Sequence, residues 1–226
     1  MHPERSPDPV HLAAFRLDEG VPDEAWLDER ERERAARMRA EPMRRRFVLA
    51  RSTLRRWLSA ELGLEPAKLC LREARHGRPE LSGKEDGALV FNMAHSGDRA
   101  LLAWRRGGLL GVDLEEHRPV QRMEELAEET LTPDELEDWR AAPAATREHR
   151  FFRTWTRKEA VLKATGLGLS GGLRQLDVRG DAPLAVAFAG THFCVLDLDP
   201  WPDCPAALAV DGPAPELRWR AVPDRR

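Results

Sequence analysis

Apolar residues along this chain follow two different periods, and the period changes where glycine or proline interrupts it. Residues 10–17, VHLAAFRL, read as a first strand. Residues from about 23 to 40 read as a helix, opened by Pro22, capped by Asp23 and filled with Glu, Arg and Ala. Over 43–62 the signal is stronger. Phe47, Ala50, Leu54, Trp57, Leu58 and Leu62 recur at steps of three and four, which fits one helix face, and Gly63 supplies the stop. Residues 69–73 are a strand candidate and Gly77-Arg78-Pro79 a turn. Short strands are predicted at 88–94, 100–105 and 109–114, divided by hairpin-type breaks at Gly97-Asp98 and Gly107-Gly108.

The rest of the chain repeats that order. Thr132 precedes a short helix over 133–140, and Glu135 three residues on completes a capping-box pattern. A longer helix over 147–165 has Phe151, Phe152, Trp155 and Leu162 on its apolar side and ends at Gly166. Strand-like segments lie near 173–178, 184–190, 192–198, 205–210 and 216–220. Each part reads strand, two helices, then several strands. This predicts an α+β fold of two subdomains, residues 1–110 and 111–226, joined near 107–120.

Composition narrows the class. With 226 residues the chain can bury a sizeable core. Charged residues at 33% and hydrophobic ones at 42% exclude a disordered chain. No apolar run approaches the roughly 20 residues of a membrane helix. The opening MHPERSPDPV lacks the apolar stretch of a signal peptide, so a cytoplasmic protein is expected, without membrane or nucleic-acid partners. Cys70, Cys194 and Cys204 are odd in number and widely spaced, which predicts plain thiols rather than disulfides or a zinc site. The net charge of −3 conceals an asymmetry. Residues 30–56 hold eleven arginines against three acids, and 113–138 hold eleven acids against two arginines. Such runs make solvated helix faces, or an anion-binding surface beside a cation-binding one.

Three stretches carry candidate chemistry: FNMAHSGDRALLAW at 91–104, GVDLEE at 111–116 and FFRTWTRKEAVLKATGLGL at 151–169. Asp113 and Glu115 are two apart on a predicted strand, so they share a face. Two carboxylates held together call for a cation, and hard oxygen donors suit Mg²⁺; alone, the same pair is also an ordinary solvated strand face. Glu159 and Lys163 are one helical turn apart. They read either as a surface salt bridge or as an acid and base facing a cleft. His95 stands between two predicted strands, a position as suited to a structural histidine as to a ligand-binding one.

In order and spacing the three stretches resemble the Sfp-type 4′-phosphopantetheinyl transferase family. Asn92-Met93-Ala94-His95-Ser96 resembles its Asn-x-Ser-His-Ser element and Gly111-Val112-Asp113-Leu114-Glu115 its Gly-x-Asp-x-Glu element. Trp155 to Lys163 resembles its Trp-x-x-Lys-Glu-Ala-x-x-Lys element. The likeness covers roughly residues 30–175 and extends weakly to RRRFVLARSTLRRWL and GRPEL.

The resemblance implies a pseudo-dimer of two similar α/β subdomains, each a small, mostly antiparallel sheet packed with helices, with coenzyme A bound between them in a monomer. It implies transfer of the phosphopantetheine arm of coenzyme A to a serine of an apo acyl or peptidyl carrier protein, with Mg²⁺. Asp113, Glu115 and Glu159 would hold the metal, and Glu159 and Lys163 would be catalytic. His95 and Lys163 would bind phosphate, as would Arg34, Arg46 and Arg78. One departure is visible: Ala94 stands where the family has the first serine, which predicts one phosphate hydrogen bond fewer. Two rivals remain open at this stage. One is another Mg²⁺-dependent phosphate hydrolase, since acidic clusters serve many such chemistries. The other is a non-catalytic binding module on the same fold.

Overall fold

The computed structural model describes residues 8–74, 77–118, 120–168 and 172–221. Strand β1 (Val10–Arg16) leads through a 3-10 turn at Glu24–Trp26 into α1 (Glu29–Ala36) and α2 (Glu41–Leu62). The short strands β2 (Leu71–Glu73) and β3 (Pro79–Leu81) pair with each other, and β4 (Val90–Ser96), β5 (Arg99–Arg105) and β6 (Leu110–Leu114) follow. Next come α3 (Met123–Thr130), α4 (Pro133–Ala141) and α5 (Ala144–Thr165). The chain ends in β7 (Leu184–Phe188), β8 (Thr191–Trp201), β9 (Cys204–Asp211) and β10 (Leu217–Trp219).

The strands form two four-stranded sheets, ordered β10-β1-β5-β4 and β6-β9-β8-β7. The two sheets share one pattern, β1-β5-β4 and β6-β9-β8, in which an opening strand lies beside the second strand of a later hairpin. Neighbours are antiparallel except β1 and β10, which pair in parallel. The fold is α+β, as the periodicity predicts. The last strand-like segment, near 216–220, joins the first sheet through β10 rather than the second.

Alternation along the strands builds three cores. Val10, Leu12, Leu101 and Ala103 from the first sheet meet Val112, Leu114, Leu208 and Val210 from the second. The opposite side chains of β1 and β5, Ala13, Phe15, Leu102 and Trp104, pack on Leu54, Trp57 and Leu58 of α2. The outer face of the second sheet, Phe193, Val195, Ala207 and Ala209, packs on Ala160, Val161 and Ala164 of α5. Each sheet thus carries a 22-residue helix on its outer face. Both helices end at a left-handed glycine, Gly63 at φ 69° and Gly166 at φ 71°, a conformation that suits glycine.

Several boundaries differ from expectation, each for a local reason. The predicted helix over 23–40 divides, because Asp28 caps Glu31 and Glu31 returns a bond to Asp28, starting a new helix there. A helix the periodicity did not predict, α3, forms at MEELAEET. Pro79–Leu81, next to the predicted turn, is strand, and β4 runs on to include His95 and Ser96. Segment 173–178 is not a strand: the Val178 amide donates to the Glu135 carboxylate, 2.9 Å, instead of to a sheet neighbour. All three cysteines are free thiols. No helix among the described residues is long and apolar enough to cross a membrane.

Candidate active site

β4 and β6, the facing edges of the two sheets, run side by side, and Val112 N donates to Asn92 Oδ1 at 2.9 Å across the seam. A cavity of about 820 Å³ opens along this seam. From α1 and α2 it is lined by Arg34, Arg46, Phe47 and Arg51, and from β4 by His95. From α5 it is lined by Glu159 and Lys163. The arginine-rich segment therefore meets Glu159 and Lys163 of α5 in one cavity of the size that small-molecule sites have, while among the described residues the acidic run over 113–138 contributes none of its lining.

The acidic end follows from the pleat of β6. Leu110, Val112 and Leu114 turn inward to the core between the sheets. Gly111, Asp113 and Glu115 are left on the side of α5. Gly111 is required there, because a Cβ would overlap the Ala160 carbonyl and the Ala164 amide of α5. The close approach brings Lys163 Nζ to 2.5 Å from Asp113 Oδ1. Glu159 lies one turn earlier on the same helix.

These carboxylates are poorly satisfied. Asp113 Oδ2 and Glu159 Oε1 are buried with no hydrogen-bond partner among the described residues. Burial pushes the Asp113 carboxyl up to about 6 despite Lys163, with Glu115 adding to the rise. Burial, then the charges of Asp113 and Glu115, push Glu159 up to about 7. Glu115 is held differently: its Oε2 accepts from Ser96 Oγ at 2.8 Å, and the same hydroxyl accepts from Glu116 N at 3.1 Å. Among the described residues no trio of His, Cys, Asp or Glu side chains stands ready-made to hold a metal. Asp113 Oδ1 is engaged by Lys163 and Glu115 Oε2 by Ser96.

The basic end is mixed. Arg34 pairs with Glu73 at 2.9 Å and Arg46 with Asp98 at 2.6 Å, both half-exposed at the cavity wall. Arg78 serves as a stitch between the halves. Its Nη1 donates to the Lys163 carbonyl at 2.7 Å, and its Nη2 to those of Phe91 and Leu110 at 3.0 and 3.3 Å. His95 stands on the cavity wall, its pKa lowered by burial and then by Lys163. Ala94 points the other way, into the core between the sheets. A serine hydroxyl at position 94 would face that core, so the expected loss of a phosphate contact does not arise there.

Two residues of the cavity escaped the sequence reading. Phe47, on the apolar stripe of α2, packs on Leu27, Ala35 and Val48 and also lines the cavity, with the Arg34 and Arg51 guanidiniums 5.2 and 5.7 Å from its ring centre. Arg51 was one arginine among eleven. It is largely buried, burial lowers its pKa, and its nearest acid, Glu31, is 3.9 Å away. The spacing Met43, Arg46, Phe47, Ala50 and Arg51 along one helix face was the available signal.

Known proteins resemble this chain over most of its length. Residues 109–221 match the family model described as the 4'-phosphopantetheinyl transferase superfamily. The chain is 36% identical over 214 residues to the 4'-phosphopantetheinyl transferase HetI of Nostoc sp., covering 91% of this chain and 89% of that protein. It is 32% identical over 187 residues to a phosphopantetheinyl transferase of Thraustochytrium sp., covering 78% of this chain and 62% of that protein. The chain belongs to the 4'-phosphopantetheinyl transferase superfamily.

Proposed function

We propose that the cavity along the β4–β6 seam binds coenzyme A. The protein moves the 4′-phosphopantetheine arm to a serine hydroxyl of an apo acyl or peptidyl carrier protein and releases adenosine 3′,5′-bisphosphate. The observation that supports this most is the orphaned Glu159 Oε1 on the wall of a cavity whose other wall is arginine-rich; Asp113, whose Oδ2 is also orphaned, is tied to that wall through its bond to Lys163. Buried polar atoms without partners are rare in native proteins and call for a ligand.

The donor set fits Mg²⁺. All donors are hard oxygens, and this ion needs only one or two carboxylates when substrate phosphates and water supply the rest. Asp113 and Glu115, with Glu159, would hold it, and it supplies charge neutralisation at the pyrophosphate. The chain's own residues do the remaining work. Arg34, Arg46 and Arg51 take the phosphates of the nucleotide end, where a planar guanidinium suits phosphate oxygens. His95 and Lys163 contact the phosphates nearer the acidic end. Glu159 accepts the serine proton, directly or through a bound water, as the carboxylate of α5 that lines the cavity. Phosphoryl transfer asks mainly for position and charge compensation, which this arrangement provides.

The test is direct. The protein is incubated with coenzyme A, Mg²⁺ and an apo carrier, and the carrier is weighed. The carrier should gain one phosphopantetheine arm on its serine. Consumption of coenzyme A with the carrier unmodified would point to a hydrolase and overturn the reading.

A further inference from the structure

Lys158 sits beside Glu159 in sequence yet is fully buried, with its ammonium on another side of α5. Consecutive helical residues point about 100° apart, so whatever fixes one sets the direction of the next. The Lys158 ammonium has three partners: Glu135 Oε2 at 2.5 Å, the Thr130 carbonyl at 3.0 Å and the Leu173 carbonyl at 2.8 Å. Its three protons are thereby matched to three acceptors. Those acceptors come from the end of α3, the first turn of α4 and the segment after α5. Glu135 is held in turn: its Oε2 accepts from Thr132 N at 2.8 Å and its Oε1 from Val178 N at 2.9 Å. Burial lowers the lysine's pKa and Glu135 opposes this, the behaviour of a charge kept in place by its partner.

On the side of α5 facing β6, Gly111 lets the helix approach until backbone meets backbone. The helix therefore has a hard contact on one side and an ionic anchor elsewhere on its surface. We infer that Lys158 is a positioning residue, a clamp that fixes the rotation and register of α5 and so aims Glu159 and Lys163 at Asp113. This rests on the proposed function only for its catalytic consequence; the clamp itself is a statement about the helix.

Lys158→Met alone leaves Glu135 charged, buried and unpaired, which destabilises the fold itself. The informative variant is therefore Lys158→Met combined with Glu135→Gln, which removes both charges and keeps the amide acceptor for Val178. Hydrogen exchange of the amides of 173–178 should quicken at least about tenfold, the scale of losing one hydrogen bond to a charged group. In the transfer assay kcat should fall roughly tenfold to a hundredfold, as for a small misplacement of reacting groups. The KM for coenzyme A should stay within about threefold, because the arginine end is untouched. Unchanged exchange, or a wild-type kcat in the folded double variant, would overturn the clamp. A fall in apparent kcat that merely follows the folded fraction would also overturn it. If the wild-type protein transfers nothing, the proposed function fails, and the clamp is then judged on exchange alone.

Discussion

Arg55 on α2 and Glu159 on α5 are buried charges on helices of equal length, each packed on the outer face of a similar sheet. Their surroundings are opposite. Arg55 donates from Nε to Glu31 at 2.7 Å, from Nη2 to Asp28 at 2.8 Å and from Nη1 to the Leu69 carbonyl at 2.7 Å. It locks α1 and the segment after α2 onto the helix. Glu159 has an orphaned oxygen, and burial, then the charges of two further carboxylates, raise its pKa. A buried charge with every partner supplied by the chain is part of the scaffold. One left without partners costs stability that only a ligand can return. The same contrast runs along α5 itself, where Arg157 meets Asp197 through two bonds of 2.7 Å and Lys158 meets Glu135.

The sharpest way to break this contrast is to neutralise each charge in turn. Glu159→Gln should lower turnover by about 10²–10⁴-fold, the usual contribution of an acid–base group. Its melting temperature at neutral pH should hold or rise, since a desolvated charge has been removed. Steady-state transfer and thermal melts on one sample check both. Turnover intact with stability lost would place Glu159 in the scaffold beside Arg55.

Arg55→Met should do the reverse. Removing one member of a buried ion network leaves Glu31 with only the more distant Arg51 at 3.9 Å and costs up to about 3–5 kcal/mol of stability. Transfer per folded molecule should be unchanged. Urea unfolding combined with activity scaled to the folded fraction measures this; a large loss of specific activity would show that Arg55 serves the site.

Much of this was legible in the sequence. The three- and four-residue steps of α2 and α5 and the Thr132–Glu135 capping box needed only local chemistry. The common face of Asp113 and Glu115 followed from strand periodicity alone. What could not be read was which charges are satisfied by distant residues. Nothing local says that Arg78 reaches carbonyls on three separate elements, or that Val178 gives its amide to Glu135 and so leaves the sheet. The parallel pairing of β10 with β1 joins residues at opposite ends of the chain, and no short-range signal encodes it. The cavity role of Phe47 could not be read, because a helix face that lines a cavity has the same period as one that lines a core.

The contrast can be sharpened by pH. The Glu159 carboxyl stands near 7 in the folded protein against an ordinary 4.5, so the folded state holds its proton over a range where the unfolded chain has released it. Below about 4.5 both states are protonated and nothing is lost. As pH rises to about 7 the folded protein loses stability relative to a chain without this group. At about 1.36 kcal/mol per pKa unit the upper bound is about 3 kcal/mol. Melts of wild type and Glu159→Gln in chelator, from pH 4.5 to 7.5, should show the variant gaining on the wild type across that window. A constant difference would mean that Glu159 carries no burial penalty.

The smallest expected effect concerns the basic end of the cavity. Coenzyme A has a 3′-phosphate that dephospho-coenzyme A lacks. Hydrogen bonds to charged groups are worth about 1.5–3 kcal/mol. Losing this phosphate should weaken binding by roughly tenfold to a hundredfold, given about 1.4 kcal/mol per decade. The arginines should not share that loss equally. Arg51 is buried, with its nearest acid at 3.9 Å, so it has the most to gain from an anion. Arg34 and Arg46 already pair with Glu73 and Asp98 in half-exposed bridges, and such pairs exchange for a phosphate at little cost. Arg78 is engaged by three carbonyls, so Arg78→Ala should lower the melting temperature more than it changes the ratio of the two affinities. Calorimetry with both nucleotides and no carrier, on wild type and on Arg34→Ala, Arg46→Ala, Arg51→Ala and Arg78→Ala, ranks them. The ratio should shrink most for Arg51→Ala. Equal binding of both nucleotides by the wild type would mean that these arginines do not read the 3′-phosphate. The contrast between satisfied and waiting charges would then hold only for the acidic end.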